Sequence, residues 1–231
     1  MPIALITGSS SGIGAATAVA LAPGWQVCVC ARRVDRLDAV CAQVQAAGGE
    51  AFPLSLDLTQ AGAAQRAVAA TVERFAGIDV LINNAGAFAV AETADLTSEH
   101  IQQLWALNVQ APMLLAQAAL PHLLRSRGLI VNVSSVAAEA TFSGCGVYSA
   151  TKAAIETWSR ILREELRPAG VRVSVVAPGA TVTEAFPGDR PIDPARLCRA
   201  EDIAAAIRFV VGQPATANVD RLVITPPGGP L

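Results

Sequence analysis

Aromatic residues and histidine are scarce in this chain of 231 residues, which contains 4% aromatics and two histidines, His100 and His122. With so few histidines, we expect no metal site. The low aromatic content, together with abundant alanine, favours long helices packed on a sheet over an aromatic-rich β-sandwich. The formal net charge is only −2 and no run of five or more basic residues occurs. We therefore expect neither a nucleic-acid partner nor binding to an anionic membrane.

Long apolar runs and a regular cysteine pattern are also missing. No apolar run approaches the roughly 20 residues that a membrane-spanning helix needs. The first short apolar run, residues 3–6, ends at a turn rich in glycine and serine, which is unlike a signal peptide. The five cysteines are irregularly spaced, and Cys28 and Cys30 would share one face of a strand, too close together for a natural disulfide. These features predict reduced cysteines and a cytoplasmic protein.

Short apolar runs rich in β-branched residues alternate with alanine-rich stretches along the whole chain. This alternation predicts a parallel sheet covered by helices on both faces, that is, a doubly wound α/β fold of about seven strands in a single domain, 1–231. The predicted strands are 3–7, 27–31, 51–56, 79–83, 129–133, 171–177 and 221–224. The predicted helices are 12–22, 33–47, 59–75, 98–124, 148–167 and 201–211, with Thr59 as the cap of the third.

The turn after the first predicted strand is the first candidate binding element, because doubly wound folds bind ligands outside the carboxyl ends of their strands. Glycines in such a turn let the backbone approach a pyrophosphate, and the N-terminus of the next helix favours the phosphate charge. A flexible turn without a ligand is the alternative interpretation. The turn reads Thr7-Gly8-Ser9-Ser10-Ser11-Gly12-Ile13-Gly14.

Arg32 and Arg33 follow the second predicted strand. At this strand end a carboxylate usually binds the ribose 2′-hydroxyl of NAD(H), whereas arginine meets the 2′-phosphate of NADP(H). Two arginines without an acid therefore favour NADP(H), with NAD(H) as the alternative. Their position could also be an ordinary solvated helix start, although a helix N-terminus disfavours cations.

The remaining strand ends carry polar residues or glycine. Asp57-Leu58 is placed to meet an adenine, or else Asp57 and Thr59 are only turn and cap residues. Asparagine side chains can lock the turn after the fourth strand, where a glycine also permits close approach of a ribose. The other strand ends read Asn83-Asn84-Ala85-Gly86, Ser134-Ser135 and Pro178-Gly179.

Tyr148 and Lys152 lie four residues apart, so on a helix they project from the same face. A free tyrosine ionises at a pKa of about 10, and a neighbouring ammonium would lower that pKa toward neutrality. Such a phenol could give a proton to a carbonyl oxygen or take one from an alcohol. The spacing alone arises often by chance on helix surfaces, so its weight comes from the other motifs.

Taken together and in this order, these motifs resemble those of the short-chain dehydrogenase/reductase family, a Rossmann-type fold, over essentially the whole chain. The resemblance implies that Tyr148 is the general acid or base and that Lys152 holds the nicotinamide ribose and lowers the Tyr148 pKa. It implies that Ser135 binds the substrate oxygen and stabilises its developing charge. Asn108 matches the asparagine that supports a water-linked proton path to the lysine, although asparagine inside a helix can also be without function.

The resemblance also implies a cofactor site and a substrate pocket. Arg32 and Arg33 resemble those of NADP-preferring members, and a short substrate-covering segment is expected at 184–199. Homodimers or homotetramers are expected through helices 98–124 and 148–167. The implied cofactor residues are Gly8, Ser10, Ser11, Gly12, Ile13, Gly14, Arg32, Arg33, Asp57, Leu58, Asn84, Ala85, Gly86, Tyr148, Lys152, Pro178, Gly179, Thr181 and Thr183. The expected pocket residues are Ser135, Ala137, Cys145, Tyr148 and Gly179, with Cys145 as a buried filler in the alternative interpretation.

The sequence therefore predicts an NADP(H)-dependent oxidoreductase that moves hydride between the nicotinamide and a small carbonyl compound or secondary alcohol. Two alternatives stay open. The first is an NAD-dependent member of the same family. The second is a regulator on the same fold that binds NADP(H) without turnover.

Overall fold

A parallel sheet of seven strands forms the centre of the protein, in the order β3-β2-β1-β4-β5-β6-β9. The computed structural model describes residues 1–184 and 196–229. Within the sheet, Ile6 of the strand β1 is in register with Val29 on one side and Ile82 on the other. The strands are β1 (Ile3–Thr7), β2 (Gln26–Ala31), β3 (Glu50–Ser55), β4 (Val80–Asn83), β5 (Leu129–Val133), β6 (Arg172–Pro178) and β9 (Arg221–Ile224), with the short parallel pair β7 (Thr181–Val182) and β8 (Cys198–Arg199) outside the sheet. The predicted doubly wound fold is confirmed.

Helices cover both faces of this sheet. They are α1 (Gly12–Leu21), α2 (Val34–Ala46), α3 (Ala63–Phe75), α4 (Ser98–Trp105), α5 (Ala111–Ser126), α6 (Gly146–Leu166) and α7 (Ala200–Val211). One core lies between the sheet and α1, α2 and α7, and contains Leu37 and Ile203. The second lies under α3, α5 and α6 and contains Phe75, Leu115 and Leu162. Every residue of β1, β4 and β5 is buried, as expected for strands with apolar layers on both faces.

Two predicted helices differ from the structure by more than a shift of one or two residues at their ends. The helix expected over 98–124 is interrupted by a π-helical segment, Ala106–Gln110, and Thr97 caps its start by accepting a hydrogen bond from the His100 backbone. The prediction that Thr59 caps the third helix is wrong, because α3 begins at Ala63. The Thr59 hydroxyl instead donates to Asp57 at 2.8 Å, so Thr59 belongs to a local turn before the helix.

The strand order reverses between β1 and β4, which leaves a crevice outside their carboxyl ends. Such a switch point is where doubly wound folds bind their ligands. Within the described residues, no helix combines the length and apolar character that crossing a bilayer requires.

Candidate active site

The glycine-rich turn joins β1 to α1 in a conformation that requires glycine. Gly8 and Gly12 have φ angles of +67° and +54°, in the left-handed region that other residues rarely adopt. A Cβ atom on Gly14 would lie 2.5 Å from the Gly8 carbonyl oxygen, so this glycine lets α1 pack directly on the turn. The side chain of Ser11, the residue before α1, does not cap the helix. The N-terminus of α1 is therefore open to an anion.

Asn84 joins this turn to the loop after β4. Its Nδ2 donates to the carbonyl oxygens of Thr7 at 2.9 Å and Gly8 at 3.2 Å. In return, the Thr7 hydroxyl accepts from the backbone N–H groups of Asn84 and Ala85, at 3.1 and 3.0 Å. The expectation that an asparagine locks this region is confirmed, and the residue that does so is Asn84. Asn83 points elsewhere and donates to the buried Asn132 at 2.8 Å.

A cavity of about 290 Å³ opens in front of these two loops. From the β1 turn it is lined by Gly8, Ser11, Gly12 and Ile13, and from the β4 loop by Asn84, Ala85 and Gly86. On its other sides it is lined by Ser135, Ala137, Cys145, Tyr148, Lys152, Pro178, Gly179, Thr181 and Thr183. Most of the residues expected to bind a cofactor or a substrate therefore meet around one cavity.

Tyr148 is the only tyrosine in the chain and lies half-buried in the cavity wall, near the start of α6. The ring of Phe88 packs edge-on against it, with ring centres 4.8 Å apart. Burial raises the pKa of Tyr148, a hydrogen bond with Ser135 acts in the opposite direction, and Cys145 adds to the rise. Ser135 itself is held in place, because its Oγ accepts from the Ala137 N–H at 3.1 Å.

Lys152 is the only lysine in the chain, and its side chain is buried, with 5% of the residue exposed. Its Nζ donates to the Val133 carbonyl at 3.0 Å and lies 5.7 Å from the centre of the Tyr148 ring. Burial lowers the pKa of Lys152 to about 8, while the carboxylate of Glu156 acts to raise it.

The expectation that Lys152 brings the Tyr148 pKa down is not met in this structure, where that pKa is raised instead. The physical reason is that burial of the phenol outweighs the other influences on its ionisation. The same burial penalises the ammonium, so the pKa of Lys152 is lowered while that of Tyr148 is raised. The juxtaposition of the two side chains on one helix face is as predicted.

Asn108 lies in the π-helical segment and is 3% exposed. Its Oδ1 accepts from the Ala87 N–H at 2.8 Å, and its Nδ2 donates to the Ala87 carbonyl at 2.9 Å and to the Thr151 hydroxyl at 3.1 Å. A Cβ atom on Gly86 would lie 3.3 Å from Asn108 Oδ1 and 3.5 Å from Lys152 Nζ. The β4 loop, α6 and the π-helical segment therefore meet at this asparagine.

The structure separates the two arginines that the sequence presents as a pair. Arg33 faces the glycine turn, where its Nη2 donates to Ser10 at 3.0 Å and to Ser11 at 2.7 Å. Arg32 contributes to a lowered pKa of Asp57, although the main causes there are the hydrogen bonds from Thr59. Of the two, Arg33 is therefore the one that contacts the cavity wall, through Ser11.

The contacts of Asp57 and Leu58 support an adenine-binding role less than they support the alternative turn interpretation. The Oδ1 of Asp57 accepts both the N–H and the hydroxyl of Thr59, at 3.0 and 2.8 Å. Leu58 is 9% exposed and belongs to one of the two cores. Neither residue is among those that line the cavity, and the turn interpretation of Asp57 fits its contacts.

The segment expected to cover the substrate falls largely outside the described residues, which omit 185–195. Of the flanking residues, the Thr181 hydroxyl donates to the Gly179 carbonyl at 2.8 Å, and Thr183 and Glu184 line the cavity.

Sequence reasoning missed three residues of this region: Phe88, Arg36 and Glu184. Phe88 packs on Tyr148. The available signal was an aromatic residue close to the end of a predicted strand, in a chain with few aromatics. Arg36 follows Arg33 by three residues on the predicted second helix, so the two share one face. Glu184 carried no local signal, because its partners lie about 150 positions earlier in the chain.

Comparison with known proteins identifies the family to which these motifs point. Residues 2–191 match the sequence model of the family described as short chain dehydrogenase. A serine 3-dehydrogenase of Agrobacterium fabrum is 35% identical, in an alignment that covers 96% of this chain and 92% of the relative.

Two similar solved structures extend over nearly the whole fold. One is a short chain dehydrogenase from Burkholderia cenocepacia in complex with NADP, 36% identical, with a TM-score of 0.89 and 96% of each chain covered. The other is an alcohol dehydrogenase from the archaeon Thermococcus sibiricus complexed with 5-hydroxy-NADP, 30% identical, with a TM-score of 0.92, covering 99% of this chain and 98% of that one.

Proposed function

This chain belongs to the short-chain dehydrogenase family, and we propose that it is an NADP(H)-dependent oxidoreductase acting on a small carbonyl compound or secondary alcohol. The observation that carries the proposal is the meeting of Ser135, Tyr148 and Lys152 with the glycine turn around one cavity. A proton-transfer group and a phosphate-binding turn on the walls of the same cavity are what hydride transfer from a bound dinucleotide requires.

The residues around the glycine turn fit a dinucleotide. The N-terminus of α1 is not capped by the Ser11 side chain, so its N–H groups can receive phosphate oxygens. Gly12 has a positive φ, and a Cβ atom there would lie 3.2 Å from the Thr183 methyl group, so the turn is narrow on this side. When bound, the nicotinamide supplies the hydride chemistry.

The protein's own part in the reaction is to bind the substrate oxygen and supply its proton. Because its pKa is raised, Tyr148 is a neutral phenol at neutral pH, which is the form that a general acid needs in the reductive direction. Ser135 is fixed by Ala137 and hydrogen-bonds Tyr148, so both hydroxyl groups can hold one carbonyl oxygen. Lys152, with a pKa of about 8, is still mostly an ammonium at neutral pH.

Asn108 is the fourth residue that we assign to proton transfer, beside Ser135, Tyr148 and Lys152. Its hydrogen bonds to Ala87 and Thr151 join the β4 loop to α6, close to the Lys152 ammonium. We assign it the role of holding the Lys152 surroundings in place, so that a proton can return to Tyr148 through water and lysine. The substrate wall contains Phe142, Ala137 and Cys145, which favours a small substrate with an apolar part.

NADP(H) is favoured over NAD(H) because a guanidinium stands at the end of β2, where the ribose 2′-position of a dinucleotide is recognised. Arg33 is held there by Ser10 and Ser11. Two similar solved structures are complexes with NADP or its 5-hydroxy derivative. An NAD-dependent enzyme is the alternative.

The test is calorimetric titration with NADPH and NADH of the wild type and of the double variant Arg32→Ala with Arg33→Ala. NADPH should bind more tightly than NADH, and the double variant should weaken NADPH far more than NADH. Equal losses for both cofactors would contradict the 2′-phosphate assignment. Tight NADPH binding without turnover on a carbonyl panel would favour the regulator alternative.

We also propose that the protein works as a homodimer or homotetramer in the cytoplasm. Ile101, Trp105, Leu114 and Leu124 on α4 and α5 and Ile161 on α6 are exposed large apolar side chains. A second copy of this chain would remove them from water. Sedimentation should detect a dimer or tetramer at micromolar concentration, and a stable monomer would contradict the proposal.

A further inference from the structure

We propose that Glu184 narrows the preference for NADP(H) by occupying the anion site between Arg33 and Arg36, where it competes with the 2′-phosphate. The inference rests on the proposed NADP(H) function and adds two residues to it. Arg36 becomes a second phosphate-binding arginine, and Glu184 becomes an internal competitor. Neither role follows from a motif.

The geometry is that of one carboxylate shared between two guanidinium groups. Glu184 Oε2 lies 2.7 Å from Arg33 Nη1, and Glu184 Oε1 lies 2.6 Å from Arg36 Nη1. Each oxygen thus has its own arginine. Both hydrogen bonds lower the pKa of Glu184, so the carboxylate is ionised at neutral pH.

Each of the three guanidinium nitrogens of Arg33 donates to a protein group in this arrangement. Its Nη1 donates to Glu184, its Nη2 to Ser10 and Ser11, and its Nε to Ser10 at 3.3 Å. The two serines hold the guanidinium at the glycine turn, and among the described residues only the Nη1 bond is made to a charged group. A phosphate that replaced Glu184 would therefore find Arg33 already oriented.

The Glu184 carboxylate and the 2′-phosphate are both anions that can bind the same two guanidinium groups. A phosphate monoester carries more negative charge than a carboxylate and offers three acceptor oxygens, so it can bridge the same two arginines. NADP(H) can use this site only if Glu184 leaves it. NAD(H), which has a hydroxyl in place of the phosphate, needs no such displacement. Glu184 consequently narrows the preference for NADP(H) that Arg33 and Arg36 create.

The pairs that Glu184 makes are partly exposed, with 45% to 53% of each side chain accessible. Such pairs are individually weak, so a phosphate can displace the carboxylate without unfolding any element. The same exposure makes the expected effect modest. We expect removal of the Glu184 charge to strengthen phosphate binding by about threefold to tenfold.

The experiment is calorimetric titration of the full chain with 2′,5′-ADP and, separately, 5′-AMP, which differ by the phosphate in question. Glu184→Gln should bind 2′,5′-ADP about threefold to tenfold more tightly than the wild type, and 5′-AMP within about twofold of it. The matched control is Glu164→Gln, because Glu164 makes a similar exposed pair with Arg167 on α6, and it should change neither affinity.

A second experiment tests the role of Arg36. Arg36→Met should weaken 2′,5′-ADP by about tenfold with little effect on 5′-AMP. Its effect should be larger in the Glu184→Gln background than in the wild type, because in the wild type the loss of Arg36 also loosens the competitor. Arg167→Met is the matched control.

The outcomes separate this inference from the function it rests on. If the wild type binds 2′,5′-ADP more tightly than 5′-AMP but Glu184→Gln leaves that ratio unchanged or lowers it, the competition is refuted and the NADP(H) assignment stands. If the wild type binds both nucleotides equally, the NADP(H) assignment itself fails, and this inference fails with it.

Discussion

The Nδ2 atom of Asn84 donates to the carbonyl oxygen of Thr7 at 2.9 Å, and so joins the two strands between which the order of the sheet reverses. Thr7 returns the connection, since its hydroxyl accepts from the Asn84 backbone. The glycine-rich turn and the loop after β4, which both line the cavity, are therefore held as one unit. Changes on either side of this connection should affect both stability and cofactor binding.

We expect Asn84→Ala to lower the free energy of unfolding by about 1–3 kcal/mol, because the carbonyls of Thr7 and Gly8 lose their donor. NADPH binding should weaken as well. Urea unfolding and calorimetry measure the two effects. Asn218→Ala is the control, because Asn218 donates to Val173 and Asp220, away from the cavity lining. It should cost stability without changing NADPH affinity, and an equal loss of affinity in both variants would contradict the role of Asn84.

Gly14→Ala should be strongly destabilising, by about 2–4 kcal/mol, because its Cβ atom would meet the Gly8 carbonyl at 2.5 Å. Gly146→Ala is the matched control, since a Cβ atom there would meet no atom of the described residues within 4 Å and Gly146 begins α6. That variant should be as stable as the wild type or slightly more stable. Urea midpoints distinguish the two, and similar midpoints would show that α1 does not need its close approach to the turn.

Lys152 being the only lysine, its pKa can be measured without ambiguity in protein labelled with ¹⁵N-lysine. The side-chain NMR signal should titrate with a midpoint of about 8, well below the ordinary 10.5, because the ammonium is buried. Glu156→Gln should move the midpoint lower still, since the carboxylate that favours the ammonium is removed. A midpoint near 10.5, or a rise in the variant, would contradict the buried geometry.

The same burial predicts that Lys152→Met stabilises the protein at pH 7 while removing activity. Burying an ammonium costs several kcal/mol, which exceeds the roughly 1.5–3 kcal/mol of its charged hydrogen bond to Val133. Between about pH 8 and 10.5 the unfolded chain binds the lysine proton and the folded wild type does not, so wild-type stability should rise with pH there. The difference in Tm should therefore shrink from pH 7 to pH 9.5. A constant difference would refute the lowered pKa.

Strands were the most predictable part of the fold. The predicted bounds 3–7, 129–133 and 221–224 coincide with β1, β5 and β9. A short, buried run of β-branched residues between turn residues leaves few other conformations. The start of α3 could not be predicted in the same way, because the Asp57 carboxylate offers Thr59 a local partner that competes with helix capping.

In the site, the positions of Ser135, Tyr148 and Lys152 could be predicted, but their electrostatics could not. Spacing on a helix decides which side chains share a face, whereas the sign of the Tyr148 pKa shift depends on how deeply the fold buries the phenol. The pairing of Glu184 with Arg33 and Arg36 depends on tertiary structure alone, since nothing near Glu184 in the sequence points to α2. The segment 185–195, where a substrate cover was expected, stays a prediction.

The central claim is that Tyr148 supplies the proton for hydride transfer from NADPH, and the most direct test compares Tyr148→Phe with the wild type. NADPH affinity is measured by calorimetry, and NADPH oxidation is followed with a panel of small ketones and keto acids. We predict that the wild type oxidises NADPH with at least one of these compounds. The variant should bind NADPH within a few-fold of wild type and lose turnover by a factor of about 10²–10⁴. Wild-type turnover in Tyr148→Phe would contradict the account.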